Sequence, residues 1–293
     1  MIVYFAGMET TLNSYDIVPK ATDNIFCTYF YRKNTDKMLE KLSIDKGHQG
    51  IITVDSGAHS FFGYTGNSTA AHHNGKDPKD MPDPEKYWKN YLKWVVKNYD
   101  RISYFVELDI GAIVGYSTVK RWRGEMKFAK VLDKCIPVMH STGMDSEKST
   151  WENFTDLCDS TTSGYIGLEG LRAKQVTLPY MKMLKYCYSK GIKVHGFALT
   201  NKDIVNKYPF YSVDSTTWTA PLRYGTHIVL DNGMLKQVTP TKKNYIKHRV
   251  NPELFNGQRS RDASTQKLMS SMEAQRDYEI YLTKLWKARG VNW

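Results

Sequence analysis

Several residues able to do chemistry stand at or near the ends of short β-type runs. Ile51-Ile52-Thr53-Val54 runs into Asp55, Tyr104-Phe105-Val106-Glu107-Leu108 into Asp109, and Phe210-Tyr211-Ser212-Val213 into Asp214. Cys135-Ile136-Pro137-Val138-Met139 ends on His140, and Ile192-Lys193-Val194-His195-Gly196 carries His195 where its run gives out. Tyr165-Ile166-Gly167-Leu168 is a further run, with Gly and Glu around its end. Carboxylates and imidazoles delivered in this way suit proton transfer, nucleophilic attack or metal ligation. Beyond Asp55, Ser56 and Gly57 put small residues where a flat ligand could approach the backbone. The alternative there is an ordinary strand-to-loop turn with Asp55 as a cap.

Such groups need a frame that brings many strand ends together. Strands alternating with helical stretches, with polar groups at their C-terminal ends, predict an α/β fold of the (β/α)8 TIM-type barrel class. The candidate strands are Ile2–Ala6, Ile51–Val54, Ile102–Leu108, Cys135–Met139, Tyr165–Leu168, Lys193–Ala198, Phe210–Val213 and Thr226–Leu230, which makes eight. Asp83-Pro84 reads as an N-cap and first-turn proline for a helix ending near Tyr99. Apolar residues at helical spacing predict further helices over Ser149–Cys158 and Tyr180–Ser189. Gly57–Pro82, rich in Gly, Ser, Asn, His and Pro, is long for a βα connection and reads as an active-site loop. A polar helix over Asp262–Ala288, with Leu268, Met272, Tyr281, Leu285 and Trp286 as its apolar positions, is expected to pack on the barrel. One domain over residues 1–293 is the economical reading, with a barrel core at 1–235 and a basic segment plus C-terminal helix at 236–293.

Composition narrows the partners. Lys+Arg number 41 against 30 Asp+Glu, a net charge of +11. That excess points to a polyanion, nucleic acid first and an acidic membrane surface second. An aromatic fraction of 13% suits base stacking beside phosphate contacts. No apolar run approaches the ~20 residues of a membrane span, and the first residues read as a strand rather than a signal peptide. Cys27, Cys135, Cys158 and Cys187 are widely spaced with no CxxC pair. This fits reduced thiols in a cytoplasmic setting and argues against a zinc knuckle.

Val54-Asp55-Ser56-Gly57-Ala58 resembles the Asp-Ser-Gly-Gly-Phe motif of the tRNA-guanine transglycosylases (the queuine tRNA-ribosyltransferases). It is more similar still to the Asp-Ser-Gly-Ala version of their compact relatives, the phage and bacterial 7-deazaguanine DNA transglycosylases. Tyr4-Phe5-Ala6-Gly7-Met8-Glu9 also resembles the opening of the phage-type proteins. The resemblance runs in order over roughly residues 2–230. It implies that Asp55 is the general acid/base and that Asp214, in Tyr211-Ser212-Val213-Asp214-Ser215, is the nucleophile. It implies that Asp109 hydrogen-bonds the Watson–Crick edge of the purine. It also puts His140 where the family has a glutamine on the base, and the backbone of Gly167 and Leu168 against that base. Val194-His195-Gly196-Phe197 resembles the next strand, so His195, with Ser56 and Gly57, joins the expected base-binding set. The tRNA enzymes carry a Cys-x-Cys-x-x-Cys…His zinc module, and this chain has no cysteine after Cys187.

The implied activity is a pentosyl transfer that replaces guanine in nucleic acid, DNA before tRNA, with a free 7-deazaguanine base such as preQ0 or preQ1. No cofactor or metal is expected. Retained stereochemistry at C1′ requires two displacements, with one carboxylate attacking and another group moving the proton. The target nucleotide must be flipped out of its stack. Arg121 and Arg123, together with Lys242, Lys243, Lys247, Arg249, Arg259 and Arg261, are the expected phosphate track. A solvated loop with scattered charge is the plainer alternative. Glu107, two positions before Asp109, should share its side of the strand and back it from the interior. The rival readings are a metal-dependent TIM-barrel hydrolase using His140, His195 and the aspartates, and a catalytically silent nucleic-acid-binding barrel.

Overall fold

Alternation along β1 (Ile2–Ala6) sets the plan of the molecule. Tyr4 and Ala6 point into a barrel interior shared with Phe26, Val106 and Val138, while Val3 and Phe5 join the layers beneath the outer helices. The computed structural model describes residues 1–10, 20–45, 47–64, 77–170, 175–239, 241–248 and 261–293. Around β1 the strands are β2 (Ile25–Thr28), β3 (Ile52–Asp55), β4 (Tyr104–Val106), β5 (Cys135–Ile136), β6 (Val138–Met139), β7 (Tyr165–Leu168), β8 (Lys193–Gly196) and β9 (Ser212–Ser215). All pair in parallel, in the order β5-β4-β3-β2-β1-β9-β8-β7-β6. The two ends of this sheet, β5 and β6, are one stretch of chain interrupted at Pro137. The wall is therefore a (β/α)8 TIM-type barrel nearly closed at that seam.

Pro137 makes the seam because it has no N–H for the ladder. β5 pairs with β4 before it, and β6 with β7 after it. Glu107 mends the gap, its Oε1 accepting the Val138 N–H at 2.7 Å. The Glu107 carboxylate also takes two bonds from Arg123, at 2.6 and 2.8 Å. That corrects the expectation that Glu107 backs Asp109 from the interior. β4 ends at Val106, so strict strand alternation no longer governs the residues after it.

The outer layer includes α1 (Arg32–Asp45), α2 (Pro84–Asn98), α3 (Tyr116–Phe128), α4 (Thr150–Ser160) and α5 (Tyr180–Ser189). Asp83 caps α2 by accepting from Glu85 and Lys86 N–H ahead of a first-turn proline, and Ser149 with Glu152 forms a capping box on α4. The long C-terminal helix α6 (Arg261–Ala288) lies across β1. Its Glu279 accepts the Val3 N–H at 2.7 Å, and its Gln275 donates to the Tyr4 carbonyl at 3.1 Å. Leu268, Met272, Tyr278, Leu282 and Trp286 form its buried stripe, with Tyr281 and Leu285 half-buried beside it. Among the described residues no helix is long and apolar enough to cross a membrane.

One expected strand is placed differently. Thr226–Leu230 is not the eighth barrel strand. β10 (His227–Asp231) pairs antiparallel with β11 (Met234–Val238) in a hairpin outside the barrel. The missing barrel strand is β2, between β1 and β3.

Candidate active site

β3, β9 and the segments following β4, β6 and β7 bring Asp55, Asp214, Asp109, His140 and Glu169 to the C-terminal end of the barrel. Asp55 ends β3, where its Oδ2 accepts from Thr28 Oγ1 at 3.2 Å and from the Gly57 N–H at 2.9 Å. Gly57 is forced to be glycine, because its φ is +84° and a Cβ would sit 2.7 Å from Tyr87 Oη. Tyr87 in turn donates to the Ser56 carbonyl at 2.8 Å, fixing the turn. The Ser56 side chain is fully buried, and its Oγ finds no partner among the described residues. Burial, with the negative charges of Asp109 and Asp214, pushes the Asp55 carboxyl up to about 7. Asp55 is thus within electrostatic reach of both other acids.

Asp109 and His140 are in direct contact, His140 Nε2 to Asp109 Oδ2 at 2.7 Å. The other ring nitrogen faces Glu169 Oε2 at 3.3 Å. Burial acts against the imidazolium, but the two carboxylates outweigh it and raise His140 to about 9. Glu169 accepts in addition from the Ser141 N–H at 2.9 Å and Thr177 Oγ1 at 2.6 Å. Against the cost of its burial, these bonds and the imidazolium hold its carboxyl down at about 2. Sequence reading noted a Glu at the end of this run but gave Glu169 no role, although it stands directly after β7, a strand-end position like those of the other acids. A cavity of about 240 Å³ adjoins this group, lined by His140, Ser141, Gly143, Met144, Lys148 and Asn153 among others.

Asp214 lies across from Asp55, separated along the wall by β1 and β2. Its Oδ1 accepts the Ala198 N–H at 2.6 Å. Ala198 holds φ at +52°, a left-handed conformation costing a non-glycine residue about 1–3 kcal/mol. The strain turns a backbone donor onto the carboxylate. His195 Nε2 lies 3.3 Å from the same oxygen, while its Nδ1 meets Ser212 Oγ at 2.7 Å.

His195, expected in the base-binding set, lies beneath the mouth, in the barrel interior under Asp214. It is wholly buried, stacked on Phe26 at 5.1 Å and edge-on to Phe197. Its register partner is Ser212, two residues below Asp214 on β9, so it supports the acid from the barrel interior. Gly167 also faces that interior, where a Cβ would lie 2.4 Å from the Phe197 ring. Leu168 turns its side chain outward into the layer beneath the helices, so its backbone alone could meet a ligand. Glu9, just beyond β1, is a further buried acid missed in the sequence. Burial and the charge of Asp55 push it up to about 7, and its Oε2 has no partner among the described residues.

The expected phosphate track falls only partly on described residues. Arg123 is turned inward into its pair with Glu107 and is withdrawn from the nucleic-acid set. Arg121 is half-exposed but paired with Glu85 and Glu125. Lys242 begins a short helix, Lys242–His248, on which Lys243 and Lys247 are exposed, and Arg261 begins α6. Arg249 and Arg259 lie outside the described residues, as does part of the loop after Asp55. Among the described residues no group of three or more His, Cys, Asp or Glu is arranged to hold a metal ion. Neither a protein-family model nor a curated protein matches the chain.

Proposed function

We propose that the protein is a base-exchange transglycosylase that replaces guanine in nucleic acid with a 7-deazaguanine base. The observation that carries this reading is the division of labour between two carboxyls at one barrel mouth. Asp55, raised to about 7, can give and take a proton near neutrality. Asp214 is held through Oδ1 by a backbone N–H, and its Oδ2 has no bond among the described residues. In the first displacement Asp214 attacks C1′, the C1′–N9 bond breaks with its electron pair leaving on the base, and the Asp55 carboxyl protonates the departing guanine. In the second, the Asp55 carboxylate takes the proton of the incoming base, which attacks C1′ and expels Asp214.

Asp109 supplies the specificity in this scheme. Guanine presents N1–H and an exocyclic amine as adjacent donors, and a carboxylate accepts from both. The His140–Glu169 pair orients Asp109 for that contact, whereas the family's glutamine at this place contacts the base itself. With both ring nitrogens engaged by carboxylates, His140 is poorly disposed as a metal ligand, which weighs against the hydrolase reading. The preference for DNA over tRNA rests on the likeness to the compact members of the family.

The test is to incubate the protein with DNA or tRNA and labelled 7-deazaguanine bases, digest the product, and analyse the nucleosides. Wild type should incorporate label and form a covalent band with nucleic acid on denaturing gels. Asp214→Asn should lose both while retaining binding, because an amide cannot form the glycosyl ester. Binding without exchange by wild type would leave the silent barrel in its place.

A further inference from the structure

A second cavity, of about 610 Å³, opens on the outer wall between α3 and the C-terminal end of α4. It lies away from the barrel mouth, since Leu132 and Asp133 precede β5 and Ser160–Thr162 precede β7, at the N-terminal ends of those strands. Leu132, Cys135 and Pro137 give it an apolar floor. Its size falls within the ~300–1,000 Å³ of small-molecule sites.

Gly124 lines this cavity from the interior of α3. A glycine there costs about 1 kcal/mol relative to alanine. The usual reasons for bearing that cost are absent, for Gly124 is not among the positive-φ glycines and a Cβ would meet nothing within 4 Å. What the missing side chain does is leave the cavity open. At the rim, Lys127 and Lys130 are exposed, and neither is paired with a carboxylate among the described residues. Ser160 and Thr162 already donate to the Leu157 and Leu132 carbonyls. Arg123 is held by Glu107. Asp133, the carboxylate of the lining, accepts from Tyr99 Oη at 2.5 Å, which leaves the two ammonium groups as the donors that a ligand meets.

We propose that this cavity binds a small amphiphilic anion, its apolar body on Leu132, Cys135 and Pro137 and its charge between Lys127 and Lys130. The site is independent of the chemistry at the barrel mouth. Anilinonaphthalene sulfonate is a suitable probe, because it joins a flat apolar body to one anionic group and fluoresces when bound. The full chain should bind it saturably at one class of site. Gly124→Leu should abolish that signal by filling the cavity while keeping the circular dichroism and melting temperature, since leucine is the better helix former. Lys127→Ala with Lys130→Ala should weaken the sulfonate at least tenfold and leave uncharged phenylnaphthylamine binding unchanged. The proposal falls if the full chain shows no saturable binding, or if Gly124→Leu binds like wild type. It also falls if the lysine changes affect both probes alike or neither. A concentration-dependent dimer lost in both Gly124→Leu and Phe128→Ser, without probe binding, would put a second copy in the cavity and overturn it too.

Discussion

Asp55 and His140 both lose their contributions as pH rises, over different ranges, and both can be measured. Asp55 has its folded value raised from 3.8 to about 7. The stability tied to it is therefore complete below about 3.8 and lost as pH rises through 7. Asp55→Asn removes that loss, so its melting temperature should gain on wild type by on the order of 5 °C between pH 5 and pH 8. A constant offset across that range would contradict the shift. His140 is raised from 6.5 to about 9, so its contribution is complete below 6.5 and lost as pH climbs through 9. Glu169 is lowered from 4.5 to about 2, so its share is present above 4.5 and lost as pH falls through 2. The pair is fully effective only between about 4.5 and 6.5. His140→Leu leaves two buried carboxylates without their cation. In denaturant titrations it should cost about 3–5 kcal/mol near pH 6, shrinking toward pH 9. An equal cost at both pH values would mean that the ring acts by packing alone.

Strand and turn chemistry explain what was legible beforehand and what was not. The acids at the ends of β3 and β9, and the one beyond β4, could be read because a β-type run ending on a carboxylate is a local pattern. β2 was missed although Ile25-Phe26-Cys27-Thr28 is itself a β-type run, because no chemical group at its end drew attention to it. Thr226–Leu230 was rightly extended but wrongly assigned to the wall. The signal against a barrel strand was Asn232-Gly233, the pair favoured in a tight hairpin turn. Both adopt positive φ, +50° and +71°. A Cβ on Gly233 would also lie 2.4 Å from the Tyr281 ring. Gly233→Ala should therefore destabilise the fold by about 1–3 kcal/mol, read in thermal melts, whereas Gly191→Ala meets no neighbour and should cost less. Glu107 and Arg123 were misplaced for a different reason. Their directions depend on the Pro137 seam, and the place of His195 on barrel depth, neither of which a local pattern encodes.

At the scale of the molecule, part of the positive charge is turned to internal use among the described residues. Several cations are spent on internal pairs, including Arg123 with Glu107 and Arg276 with Asp23. If the proposed function holds, nucleic-acid affinity should rest on cations outside those pairs. Replacing Lys243 and Lys247 with alanine should lower the slope of log K against log salt by about 2, measured by titration at several salt concentrations. An unchanged slope would remove that helix from the interface. The long helix over β1 carries a consequence of another kind. The Val3–Glu279 bond spans 276 residues. On a ribosome adding about 5–20 residues per second, the first strand waits some 15–55 s for the segment that shields its outer face. During that interval Val3 and Phe5 are bare to solvent and to other chains, so the yield of native protein is set by how quickly synthesis finishes and by what shelters the nascent strand meanwhile.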